Sequence, residues 1–286
     1  MNNYEKLEGM VAATFTPLDE NGDVNLSVID KYADWIASTP IKGVFVCGTT
    51  GEFSSLTIDE RKLILEKWLV SARKRFKVIA HVGSNCQRSA MELARHAAQV
   101  GADAIASIAP SFFKPGTVDE LVDFFAPICH SAAGLPFYYY NMPSITGVNL
   151  PVDKFLVEGK KKIPNLVGTK FTHNNLMEMG VCIELEQHRF EVLHGYDEIL
   201  ISGLAMGAVA GVGSTYNYIP NVYQAIFDSM KMNDLETARH NQIKSIRTVE
   251  VIIKYGGGVR GGKAIMKLIG CLLYTSDAAD ELDGVD

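Results

Sequence analysis

A lysine stands where a charge does not belong. Lys170 lies in Leu166-Val167-Gly168-Thr169-Lys170-Phe171-Thr172, an apolar run that reads as a buried strand. Burying an unpaired ammonium is costly, so such a lysine is neutral, paired or chemically employed. A neutral amine is a nucleophile. A second apolar run, Phe137-Tyr138-Tyr139-Tyr140-Asn141, ends in a phenol, and a third leads into the hydroxyl-rich turn Gly48-Thr49-Thr50-Gly51-Glu52. Amine, phenol and a turn able to bind an anion point together to imine chemistry on a keto acid.

Each residue also has a plainer reading. The stem of Lys170 can pack in the interior while its head reaches solvent or a carboxylate. Catalysis by an imine instead needs an uncharged amine, a form that burial favours. The protonated imine is then an electron sink, so the C3–C4 bond of a 4-hydroxy-2-keto acid can break with its electrons held as an enamine. Three consecutive tyrosines are commonly core packing. Strand alternation lets at most two of them face inward, and Tyr140, the last, lies nearest the strand end, where it could move the C4 hydroxyl proton. Gly48 to Glu52 lacks the Lys-Ser/Thr ending of a phosphate loop. It is either an ordinary turn or one whose N–H groups and hydroxyls hold a carboxylate. Asp197 and Glu198 in His194-Gly195-Tyr196-Asp197-Glu198 suit a helix start or the hydroxyls of a sugar. Gly211-Val212-Gly213-Ser214-Thr215-Tyr216-Asn217 permits close backbone approach and adds the Ser214 hydroxyl.

Eight apolar, β-branched runs precede these features: 10–16, 43–48, 77–83, 104–110, 136–142, 166–172, 189–195 and 207–214. Helical patterns such as 56–74 and 88–100 lie between them, with apolar residues returning every three or four positions. That rhythm is βα repetition, and eight repeats predict an α/β fold, the TIM (β/α)8 barrel, with a buried parallel sheet. Chemistry in this fold sits at the C-terminal ends of the strands, where Lys170, Tyr140, Thr49 and Thr50 all fall. Residues 7–218 form the expected barrel, and 219–270 a closing helix and helical appendage. Gly256 to Gly262 reads as a linker, and Lys160-Lys161-Lys162 beside Lys154 as a solvated loop.

A net charge of −6 disfavours nucleic-acid and anionic-membrane surfaces. Five scattered cysteines without a CxxC pair fit a reducing, cytoplasmic setting without structural zinc. The N-terminus has no leader pattern, and no apolar run approaches the ~20 residues of a membrane span. The histidines, including His81 and His173, show no ligand spacing, so no metal is expected.

In order, GTTGE, YYYNMP, GTKFT, GYDE and GVGSTYN resemble the dihydrodipicolinate synthase/N-acetylneuraminate lyase family of class I aldolases over Leu7 to Gly270, and its lyase branch in particular. The resemblance implies Lys170 as the Schiff-base lysine, Tyr140 as the proton-transferring tyrosine, and Thr49 and Thr50 as the hold on the keto-acid carboxylate. It places Thr172, Gly195, Asp197, Glu198 and Ser214 along the sugar chain. It also implies no cofactor, pyruvate and a sugar acid as small-molecule partners, and a homotetramer. The synthase branch carries an arginine where Ser144-Ile145-Thr146-Gly147 offers Ile145, and a subunit-crossing tyrosine where Ser111-Phe112-Phe113 offers phenylalanine. No aliphatic side chain replaces a bidentate guanidinium. The expected reaction is reversible cleavage of N-acetylneuraminate to N-acetylmannosamine and pyruvate. The alternatives are a sibling pyruvate aldolase on another 2-keto-3-deoxy sugar acid, the synthase, or a truncated, non-catalytic sugar-acid-binding barrel. Residues 271–286 read like translated sequencing adapter, so the native chain is expected to be lost near Gly270.

Overall fold

The computed structural model describes residues 4–132 and 134–271. Of the suspected adapter tail, only Cys271 falls within that range. Eight parallel strands pair in chain order and close as a barrel: β1 Gly9–Ala13, β2 Gly43–Val46, β3 Lys77–His81, β4 Ala104–Ile108, β5 Phe137–Asn141, β6 Leu166–Phe171, β7 Glu191–His194 and β8 Ala210–Gly213. Each falls within its expected apolar run or starts one residue outside it. Every residue of β2, β4, β5, β7 and β8 is buried, which is why these strands carry no polar alternation.

The helices are α1 Ile29–Ala37, α2 Ile58–Ala72, α3 Gln87–Val100, α4 Val118–Ser131, α5 Pro143–Thr146, α6 Val152–Lys162, α7 Leu176–Glu184, α8 Leu200–Ala205, α9 Pro220–Lys231, α10 Leu235–Lys254 and α11 Gly258–Leu268. Their starts follow local chemistry. Thr57 and Glu60 form a reciprocal capping box on α2, Thr117, Asn175 and Asp234 cap α4, α7 and α10, and Pro143 and Pro220 open α5 and α9. No helix of the described residues is long and apolar enough to cross a membrane.

The chain groups into two compact units. The first holds the residues up to Gly9, then Ile79–Tyr196 and Leu200–Val212. Here alternation sorts the three tyrosines of β5. Tyr139 points outward among Phe125 of α4 and Phe155 of α6, with centroid separations of 5.4 and 4.6 Å. Tyr138 donates to Glu191 at 3.0 Å and meets the hydroxyl of Tyr4, while Glu191 also accepts from the Leu7 N–H at 2.9 Å. Desolvation pushes the Glu191 carboxyl above its usual range, against those two donors.

Gly168 shows how tightly β6 and β7 approach. A Cβ there would lie 2.0 Å from the Glu191 carbonyl oxygen and 2.8 Å from its carbon. These are backbone atoms of a paired strand and cannot rotate aside. Gly168→Ala is therefore expected to lower stability by about 3 kcal/mol in a urea titration. A change near zero would show that the strand gap is wider than this.

The second unit holds Met10–Val78, Asp197–Ile199 and the chain from Gly213. Its C-terminal part corrects one expectation: Gly256 to Gly262 is a linker only at its start. Gly256 and Gly257 turn the chain at φ 89° and 92°, and α11 then runs from Gly258. The helix tolerates glycine because its backbone is pressed against neighbours. A Cβ at Gly261 would come within 3.0 Å of Ile252, and one at Gly262 within 2.4 Å of the Phe15 ring.

The lysine cluster is a second correction, since it belongs to a helix rather than a loop. Lys154 lies in the first turn of α6, and Lys160, Lys161 and Lys162 form its last turn, where cations complement the helix dipole. Lys160 pairs with Glu186, and Lys161 and Lys162 pair with Glu158 and Asp123 at 2.6 Å each.

Candidate active site

In the first unit, register brings the amine and phenol together. Tyr140 of β5 and Lys170 of β6 are direct Cα partners, so their side chains leave the sheet on the same face. Lys170 is 5% exposed, and its Nζ stands 4.0 Å from the centroid of the Tyr140 ring. The Tyr140 hydroxyl donates to Met142 Sδ at 3.0 Å. A thioether is a weak acceptor. His81 of β3 supports the ring edge-on, 5.9 Å between centroids. Its own ring is fixed by the Ile108 N–H, which donates to Nε2 at 3.3 Å.

Two residues beyond Lys170, and so on the same face, Thr172 is buried, and its Oγ1 has no hydrogen-bond partner among the described residues. Its backbone is anchored, the N–H donating to the Asn141 carbonyl at 2.9 Å. Gly195 follows β7 and makes room for the hydroxyl, since a Cβ there would fall 2.0 Å from Thr172 Oγ1. Thr172 and Gly195 thus lie in close contact, a pairing that sequence separation concealed.

In the second unit, Thr49 and Thr50 sit half-buried in the turn after β2. The Glu52 N–H closes the turn on the Thr49 carbonyl at 3.0 Å, and Thr16 Oγ1 donates to the Gly51 carbonyl at 2.7 Å. Cys47 and Glu52 take positive φ, 54° and 56°, which few non-glycine residues adopt. Arg61, 4% exposed, comes from α2 to the Cys47 thiol, whose pKa burial pushes up to about 11 while the guanidinium pulls the other way.

Asp197 is 6% exposed and already committed. Its Oδ2 accepts from the Thr215 N–H at 2.9 Å and from Thr215 Oγ1 at 2.6 Å. Thr215 Oγ1 also bonds to the Tyr223 hydroxyl, which meets Ser245, and the Gln242 amide donates to the Asp197 carbonyl at 3.0 Å. A Cβ at Gly213 would strike Asp197 Oδ1, so glycine is what lets the carboxylate lie against β8. Glu198 is half-buried, as is Ser214, whose carbonyl accepts from Asn217 Nδ2 at 2.7 Å. Sequence reasoning missed Thr215 and Met142. Met142 was within reach of the period of two that puts it on the same face as Tyr140.

Among the described residues, no group of three or more His, Cys, Asp or Glu is placed to hold a metal ion. The residues instead offer an amine, a phenol, hydroxyls and carboxylates.

A closed ring of eight parallel strands with reactive side chains at the C-terminal ends defines a TIM-barrel enzyme. The model of the Dihydrodipicolinate synthetase family matches residues 6–275, and the chain belongs to that family. Over 268 residues it is 42% identical to the N-acetylneuraminate lyase of Mus musculus, covering 93% of this chain and 84% of that protein. The solved N-acetylneuraminate lyase of Proteus mirabilis superposes with a TM-score of 0.92 at 34% identity, covering 97% of this chain and 96% of that one. A catalytic lysine mutant of the Ruminococcus gnavus sialic acid aldolase superposes with a TM-score of 0.90 at 27% identity, covering 95% of this chain and 88% of that one.

Proposed function

We propose that this protein is a carbon–carbon lyase, cleaving N-acetylneuraminate reversibly to N-acetylmannosamine and pyruvate through an imine on Lys170. The observation that carries the reading is the buried Lys170 amine lying 4.0 Å over the ring of Tyr140, its register partner. The similarity to lyases from mouse and Proteus mirabilis supports the same substrate.

In this reading the Lys170 amine adds to C2 of the open-chain keto acid, and loss of water gives the imine. Tyr140 relays the C4 hydroxyl proton as the C3–C4 bond breaks, giving its own phenol proton to the keto-acid carboxylate as it takes that one. The bonding pair moves to the protonated imine nitrogen as an enamine, and N-acetylmannosamine leaves as the aldehyde. Protonation of C3 and hydrolysis then release pyruvate and restore the amine. Thr49 and Thr50 hold the carboxylate. Thr172 with Gly195, and Glu198 with Ser214, meet the sugar hydroxyls. Asp197, with one oxygen on Thr215, holds the Ser214 segment in place beside its own part in the sugar contact. The chemistry needs no cofactor, because the iminium is the electron sink. A homotetramer in the cytoplasm belongs to the same proposal.

Substrate choice is tested by pyruvate release across a panel of 2-keto-3-deoxy sugar acids. N-acetylneuraminate is expected to give the highest kcat/KM. Faster turnover of a sugar acid without the N-acetyl and glycerol groups would replace it as the substrate.

A further inference from the structure

The turn carrying Thr49 and Thr50 does not stand by itself. Its last residue, Glu52, is held in the left-handed region and sends its carboxylate to Lys263 of α11, with Nζ 2.5 Å from Oε2. Lys263 is 1% exposed, so its ammonium has given up water for this one anion, whereas Glu52 keeps 23% of its surface. A charge so buried is tolerated only while its partner stays in place, which makes the pair directional: α11 dictates where Glu52 goes. The glycines before Lys263 serve the same end. Gly262 lets the helix lie on Phe15, just beyond the end of β1, and Gly261 lets it lie on Ile252 of α10, and side chains at either position would push α11 away.

Besides the Glu52 N–H and Thr16 hydroxyl bonds that close it, the turn is constrained by close packing. A Cβ at Gly51 would lie 3.1 Å from both the Cys47 Cα and the Thr14 carbonyl, so the segment is folded tightly between residues of strained φ at both ends. Arg61 lies against Cys47 at one end and has its guanidinium 5.4 Å from the Phe53 ring at the other. Two buried cations, Arg61 and Lys263, and the Glu52 carboxylate therefore lie about the turn.

We infer that Lys263 is a positioning residue for substrate: its ion pair with Glu52 sets the conformation of the Thr49–Thr50 turn and thereby its affinity for the keto-acid carboxylate. This rests on the imine reading above and adds the C-terminal helix to it. A purely structural pair would affect melting alone, because neutralising both members of a buried pair together leaves stability nearly unchanged.

The test is the pyruvate concentration that gives half-maximal borohydride-trapped adduct, measured by mass on the full chain. Lys263→Met and Glu52→Gln should each raise it tenfold or more, with the adduct at saturating pyruvate retained. Lys263→Arg, which keeps the charge, should stay within threefold. The double variant Lys263→Met/Glu52→Gln should regain thermal stability yet keep the weakened half-saturation. If Lys263→Met does not fold, Glu52→Gln, at a partly exposed site, carries the comparison. Half-saturation within twofold of the parent in the folded variants, whatever their melting temperature, overturns the inference. No adduct in the parent chain would instead overturn the imine reading, and this inference with it.

Discussion

Lys170→Met is expected to lower pyruvate-forming turnover by on the order of 10⁴-fold while leaving the barrel folded. Methionine fills nearly the same volume and carries no amine, and Lys170 lies within a strand end where its stem is packed and its head meets a ring. The expected loss is large because the proposed route gives the lysine two jobs. It forms the covalent bond that activates C2, and its nitrogen takes the electron pair from the broken C3–C4 bond. Without it neither task has another candidate on this face of β6, whose inward neighbours are Gly168 and Thr172. Circular dichroism and size exclusion should match the parent, and turnover above a tenth of the parent value would refute the role.

Tyr140→Phe is expected to cut kcat by about 10²- to 10³-fold, the usual size of a lost acid–base group, yet to leave imine formation with pyruvate in place. Phenylalanine keeps the ring over Lys170 and the edge contact with His81, and removes only the hydroxyl now resting on Met142. Pyruvate has no C4 hydroxyl to deprotonate, so its trapping reports on Lys170 alone. A variant that turns over normally would assign the proton to another group. One that also fails to trap pyruvate would make Tyr140 a part of imine formation itself.

The barrel was legible because its strands are buried on both faces, so apolar runs recur without alternation, and a lysine or a tyrosine series stands out against them. Tyr140 could be told from Tyr138 and Tyr139 by period and position, and the structure sends those two to Glu191 and to Phe155. What escaped the sequence depended on contacts far along the chain. Gly256 to Gly262 has the composition of a loop, and only Phe15 and Ile252 explain why most of it is helix. Lys160 to Lys162 looked like a solvated loop because a helix C-terminus rich in lysine has no apolar stripe to reveal it. Asp197 stood out as a substrate contact, and its further tie to Thr215 became visible only once β8 lay beside it. Nothing in the sequence neighbours of Lys263 announces that Glu52 will meet it.

Incubating the full chain with pyruvate and borohydride, then mapping the modified peptide, examines the central idea most directly. A single carboxyethyl group on the Lys170 nitrogen is the predicted product. An unmodified chain, or a label confined to another lysine, would contradict the covalent route.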